Sequence, residues 1–219
     1  SRPPWVPSPP EDAIVAVGAA VVYNLLQDIR SLSLVVDVRG EEAFAAGHVD
    51  GAAPAGADPC AQVRERFSDI NVQSAAREPF SLCMCCDSGA APDALGLDLS
   101  GARRALRRHK SAAGGYRPFE LQRSLTFAYT EYRQLFPFAC TDFAGFEASR
   151  VYPSCIADRF FLGHWALASD PFVVKSCLRA THVVNCTPEH PNCFEDDGLQ
   201  YFRVPIVDEH SADLLTHLE

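Results

Sequence analysis

The sequence predicts an α/β protein whose first half is built on a mainly parallel sheet, and three observations carry that expectation. "LSLVVDV" (32–38) and "PFSLCMCCD" (79–87) are near-continuous apolar runs, the pattern of strands covered on both faces. "GAAVVYNLLQDIRS" just before the first of them spaces Val22, Leu25, Leu26 and Ile29 as one face of a helix. Strand and helix then continue to alternate, which is how a sheet with crossover helices is written.

Taken in order, "DAIVAV" (12–17) is a short opening strand, followed by the helix and the first apolar run. That run ends on Asp37 and Arg39, two charges at a strand's carboxyl end that can brace neighbouring loops by ion pairing. A short helical turn and a loop follow, with Gly47 and Gly51 allowing turn geometry that a side chain obstructs. After the second run, "DSGAAPDALGLDLSG" is turn-rich. "GARRALRRHKS" (101–111) is a helix, with Ser100 as its N-cap and Gly114-Gly115 as its stop. "SLTFA" (124–128) is a strand, and "YTEYRQLFPFAC" (129–140) a helix that breaks near Pro137.

"TDFAGFEASRVY" (141–152) has the character of a linker. Beyond it "FFLG" (160–163), "ATHVVNCT" (180–187) and "LQYFRVPIVD" (199–208) are strands, and "HWALASDPFVVKSCLR" (164–179) is an intervening helix. "SADLLTHLE" begins another helix in which the sequence stops, so the second half is expected to be a fragment of a larger domain.

Composition narrows the function classes. The 219 residues are 47% hydrophobic and 21% charged, a globular balance. A net charge of −9 argues against general nucleic-acid binding, which needs positive charge to displace phosphate counterions. No apolar run approaches the roughly 20 residues of a membrane span. "SRPPWVPSPPED" lacks the charged-then-apolar plan of a signal peptide and is a Pro-rich tail. Nine cysteines, an odd number, with Cys83, Cys85 and Cys86 inside an apolar stretch and the others scattered without C-x-x-C pairs, imply reduced and mostly buried thiols in a cytoplasmic protein. No run of five consecutive basic residues occurs, so the sequence leaves nuclear as well as cytoplasmic residence open. Cys186 and Cys193 with His182 and His190 form only a loose cluster without zinc spacing, so neither a metal nor a cofactor is expected.

"DVRGEEAFAAGHVDGA" resembles the signature of the rhodanese family, D-V-R followed by F-x-x-G-H-I/V-x-G-A. Asp37, Arg39, Phe44, Gly47, His48, Gly51 and Ala52 fall in register, and Ala43 stands where a Glu is usual. His48 is expected to make a structural hydrogen bond rather than act as a base. In an active rhodanese the next strand leads into C-x-x-G-x-R, where a thiolate carries the transferred sulfur. Here Cys86 and Gly89 keep the spacing, but Ala91 replaces the Arg. An alternative register puts Asp87 in the cysteine's place, as in the non-catalytic rhodanese-like domains of MAP-kinase phosphatases. "SLTFAYTEYRQLFPFAC" is similar to the segment that closes those domains, with Tyr129, Tyr132, Phe136, Pro137, Phe138 and Cys140 in step. The resemblance implies an inactive rhodanese-like parallel sheet with flanking helices.

The second half resembles a dual-specificity phosphatase domain. "YPSCIADRFFLGHWALASD", "ATHVVNCTPEHPNCFE" and "YFRVPIVDEH" match its successive segments in family order. In that family the Asp of P-I-x-D is the general acid, which by position is Asp208. An alternative role for Asp208 is to cap the helix expected over 211–219. The phosphate loop H-C-x-x-G-x-x-R occurs nowhere in the 219 residues. On the resemblance, it is expected about 30 to 40 residues beyond Glu219, after a further helix and strand.

The implied organisation is a tail over 1–11, a rhodanese-like domain over 12–141, a linker over 142–151 and a partial α/β phosphatase domain over 152–219. The implied partner is a MAP kinase or other phosphoprotein, whose acidic groove meets a basic cluster. Arg64 and Arg66 in "CAQVRERFSD" fit that cluster, although Glu65 interrupts it and weakens the attraction. Arg103, Arg104, Arg107 and Arg108 form a second basic stripe on one side of a helix, either a solvated face or a second docking surface. The same sequence admits two other functions: a non-catalytic pseudophosphatase-like scaffold, and a sulfurtransferase using Cys86.

Overall fold

The computed structural model describes residues 14–27, 32–55, 80–87, 121–148, 150–210, 212–213 and 216. The chain divides into two compact units, Ser1–Val151 and Tyr152–Glu219.

The first unit is built on a five-stranded sheet. Its strands are β1 (Ile14–Ala16), β2 (Leu32–Asp37), β3 (Ala53–Pro54), β4 (Phe80–Cys86) and β5 (Leu121–Ala128), in the order β1-β5-β4-β2-β3. Every pairing is parallel. Leu34 to Asp37 on β2 and Ser81 to Cys86 on β4 are buried without alternation. Two-sided burial is why these strands are legible as continuous apolar runs. The strand expected over 124–128 begins earlier, at Leu121, because β5 pairs with β4 along its length. The loop expected after Gly51 contains β3, a two-residue edge pairing with Val36 and Asp37.

Two described helices supply an aromatic layer. Helix α1 (Ala19–Gln27) buries Ala19, Val22 and Tyr23. A further short helix, α2 (Glu41–Ala46), follows β2 and buries no residue of its own. Helix α3 (Tyr129–Leu135) buries Tyr129 and Tyr132, one turn apart, and leaves Thr130, Glu131 and Arg133 exposed. Pro137 ends it, as expected, and a single 3-10 turn continues over Pro137–Ala139. Tyr23 stacks on Phe136 with ring centroids 4.0 Å apart, and Phe138 meets Tyr23 edge-on. Tyr132 packs against Phe127 and Phe136. Burial of these rings, with edge-to-face and stacked geometry, fixes the helices on the sheet.

The second unit has two small sheets. Strands β6 (Ser154–Ala157) and β7 (Phe160–Leu162) form an antiparallel hairpin, with Arg159 at φ 57° in its turn. Strands β8 (His182–Asn185) and β9 (Gln200–Arg203) pair in parallel. Val173, Val174, Cys177, Phe194 and Val204 are buried.

Two expectations are corrected here. The single helix over 164–179 is broken into a short helix, α4 (Trp165–Ala168), and a π-helical stretch over Phe172–Cys177. Between them the Asp170 carboxylate accepts from the N–H groups of Phe172 (2.8 Å) and Val173 (3.4 Å). An acidic cap followed by Pro171 starts a new helix rather than continuing the old one. The sequence reading also lacks β6, whose burial is slight: Ser154, Ile156 and Ala157 are exposed. The helices expected over 101–111 and, for most of its length, over 211–219 lie outside the described residues.

Candidate functional site

The carboxyl ends of β2, β4 and β5 bring together the residues singled out in the first unit. This is the edge of an open parallel sheet where ligands usually bind. Its geometry here is that of a brace. Arg39 Nε donates to Asp37 Oδ1 at 2.9 Å and Arg39 Nη2 to Asp37 Oδ2 at 2.6 Å, a bidentate pair. The side chains are 5% and 0% exposed. Nη2 also donates to the Gly47 carbonyl at 2.7 Å, and the guanidinium lies 3.5 Å from the centre of the Tyr129 ring. Burial works against the Arg39 charge, but the hydrogen bond and charge of Asp37 outweigh it and hold the pKa above its ordinary value.

The brace therefore ties β2 to the end of α2 and to the start of α3. A Cβ on Gly47 would come within 2.8 Å of Asp142 Cγ, and Gly47 sits at φ +154°. Asp142 in turn accepts from Arg133 Nε (2.9 Å) and Nη2 (2.5 Å). His48 stacks on Phe44, with ring centroids 3.7 Å apart, and its Nδ1 lies 3.0 Å from the Phe44 carbonyl. The His48 N–H donates to Thr141 Oγ1 at 3.1 Å. Since a carbonyl only accepts, Nδ1 carries the proton in that contact. His48 thus makes the structural hydrogen bond expected of it.

Cys86 faces inward. It is 3% exposed, with Sγ 2.9 Å from Thr126 Oγ1 and 3.5 Å from the Phe127 carbonyl. Asp87 is exposed and its carbonyl accepts from Thr130 Oγ1 at 3.2 Å. The neighbouring thiols are held protonated. Burial pushes Cys83 and Cys140 up to about 12, and raises Cys85 as well. Thr126 is the partner that sequence reading missed. It lies on another strand, forty positions from Cys86, and no local signal joins the two.

Several candidates fall beyond this geometry. Gly89, Ala91, Arg64, Arg66, Arg103, Arg104, Arg107 and Arg108 lie outside the described residues. Asp208 is exposed, in a bend after β9 in the second unit. Among the described residues no group of three or more His, Cys, Asp or Glu side chains is placed to hold a metal ion. No described helix is long and apolar enough to cross a membrane.

The second unit holds a polar network that the sequence reading also missed. Asn185 Nδ2 donates to Asn192 Oδ1 (2.9 Å) and to the His190 carbonyl (3.0 Å). Asn185 Oδ1 accepts from Thr187 N (3.0 Å) and Thr187 Oγ1 (2.8 Å). Arg203 Nη2 donates to the Pro188 carbonyl at 2.8 Å, and His190 stacks on Trp165 with centroids 4.5 Å apart. The signal was available: Asn followed two residues later by Thr is an Asx-turn pattern. No family model matches the chain, and no curated protein matches it.

Proposed function

We infer that this chain is a MAP-kinase-phosphatase-type protein whose first unit binds a kinase or other phosphoprotein and does no chemistry of its own. The resemblance of its two halves to a rhodanese-like domain and a dual-specificity phosphatase domain suggests the class. The observation that carries the non-catalytic part is the inward, hydrogen-bonded Cys86 thiol at the strand end where a sulfur-carrying thiolate would have to face solvent. The Asp37–Arg39 pair supports the same reading, because both groups are spent on the brace. In the second unit Asp208 is the residue proposed as general acid. Since no H-C-x-x-G-x-x-R segment occurs in these 219 residues, the polypeptide as given is expected not to hydrolyse p-nitrophenyl phosphate.

The test is a titration of purified MAP kinases against the chain and against an Arg64→Ala/Arg66→Ala variant, with the Arg103, Arg104, Arg107 and Arg108 stripe replaced in a second variant. Saturable binding weakened at least about tenfold by either replacement, on the order of 1.4 kcal/mol, supports docking. Affinity unchanged in both rejects it. In parallel, thiosulfate-to-cyanide sulfur transfer is expected to be absent. Turnover abolished by Cys86→Ser would instead make the protein a sulfurtransferase.

A further inference from the structure

Of the eight described cysteines two, Cys186 and Cys193, are exposed, while the others are buried or half-buried. These two are the first and last thiols of one short loop. The loop is cross-braced at the residues immediately before each cysteine: Asn185 Nδ2 donates to Asn192 Oδ1 at 2.9 Å. Two short side chains and one hydrogen bond therefore hold the backbone at 185 near the backbone at 192. Asn185 also grips the His190 carbonyl, and Arg203 grips the Pro188 carbonyl. The two prolines, Pro188 and Pro191, further limit what the loop can do. A loop whose ends are already tied has lost much of the entropy that a cross-link would otherwise remove. Solvent access is the other requirement, since oxidation of thiols follows exposure and a nearby resolving thiol.

We propose that Cys186 and Cys193 are a redox-responsive pair, converted by a hydroperoxide into a disulfide that closes the 185–193 loop. One thiolate attacks the peroxide O–O bond, forming an S–O bond to give a sulfenic acid and releasing hydroxide that leaves as water. The second thiolate attacks that sulfur, the S–S bond forms and the S–O bond breaks. The hydroxyl departs with the second thiol's proton as another water. With hydrogen peroxide, two thiols and one peroxide become one disulfide and two waters, and the two electrons pass from sulfur to oxygen. A thiol reductant reverses the step by exchange.

The buried thiols stand outside this chemistry. Cys83, Cys85 and Cys140 are enclosed by the sheet and α3, and their burial keeps them protonated. Among the described cysteines the exposed pair therefore reacts first.

The experiment uses the full chain, reduced, exposed to graded hydrogen peroxide, quenched by alkylation and cut with trypsin. Both cysteines fall in the tryptic peptide over 180–203. The expected product is that peptide lighter by two hydrogens, unalkylated and restored by dithiothreitol, at peroxide levels that leave the buried cysteines fully alkylated. In Cys186→Ser the expected change is accumulation of a dimedone adduct on Cys193, which the wild type resolves and does not accumulate. Either of two results overturns the proposal: a disulfide-linked dimer of that peptide, or dimedone adducts accumulating equally in wild type and variant. The readouts need no enzymatic activity, and the variant changes an exposed side chain.

Discussion

β2 and β4 in the first unit and β8 and β9 in the second are both parallel pairs, yet the two pairs use their side chains differently. In the first pair every described side chain from Leu34 to Asp37 and from Ser81 to Cys86 is buried. In the second, Val184 and Phe202 lie opposite one another in register and are 54% and 58% exposed. The lesson is that parallel pairing by itself does not bury a strand; the side chains on each face decide it. Parallel strands are normally covered on both faces, and the unbroken burial of Leu34 to Asp37 and of Ser81 to Cys86 in the first unit follows that rule.

The polar groups divide the same way. In the first unit charge is taken inside and must be paired: Asp37 is 0% exposed and depends on Arg39. In the second unit the organising groups are uncharged amides, Asn185 and Asn192, tying a loop near the surface. Arg39→Ala is therefore the largest break available. It leaves the buried Asp37 carboxylate unpaired and frees the Gly47 carbonyl and the Tyr129 ring. Loss of one partner of a buried pair costs about 3–5 kcal/mol. Urea denaturation should show a first-unit transition shifted by that amount. A loss below about 1 kcal/mol means that Asp37 finds water or another donor, and the brace is then incidental.

How much of this was legible in the sequence follows from the same contrast. The strands at 32–38 and 79–87 were plain because burial on both faces leaves continuous apolar runs. The strand at 154–157 was not, because Ser154 and Ala157 are exposed and only two bulky apolar or thiol side chains, Ile156 and Cys155, interrupt them. The break at Asp170-Pro171 was written in residues that cap helices, but the apolar spacing across it still read as one helix. At the candidate site, Asp37 and Arg39 were recognisable as a brace. The attachment of Arg39 to Tyr129, and of Cys86 to Thr126, depends on residues far apart in the chain, which local pattern does not encode.

A second way to sharpen the contrast is alkaline titration. Cys83 and Cys140 have their pKa raised by burial from an ordinary 9.0 to about 12. Between those values the folded state keeps protons that the unfolded state has released. Stability is thus fully present below about pH 9 and falls as pH rises towards about 12, by on the order of 1 kcal/mol per pH unit for each thiol. Denaturation midpoints under reducing conditions at pH 8 and pH 10.5 measure it. Cys83→Ala should flatten the slope whatever it does to the absolute stability. A slope unchanged by the substitution assigns the alkaline loss to other groups.

The smallest effect is expected at Phe202. An exposed aromatic contributes little to a fold, and surface substitutions away from special features stay within about 0.5 kcal/mol. Phe202→Ser should accordingly leave the denaturation midpoint of the second unit almost unmoved, in contrast with the first unit's Phe127, which is 1% exposed. The informative departure is a clear loss in Phe202→Ser. Because Phe202 and Val184 face each other across the β8–β9 ladder, such a loss requires something to be seated on both. Repeating the measurement over a range of protein concentrations then identifies it. A melting temperature that rises with concentration in the wild type and not in the variant is the mark of self-association through that face, since mass action couples folding to assembly. A concentration-independent loss instead places the missing contacts within one chain.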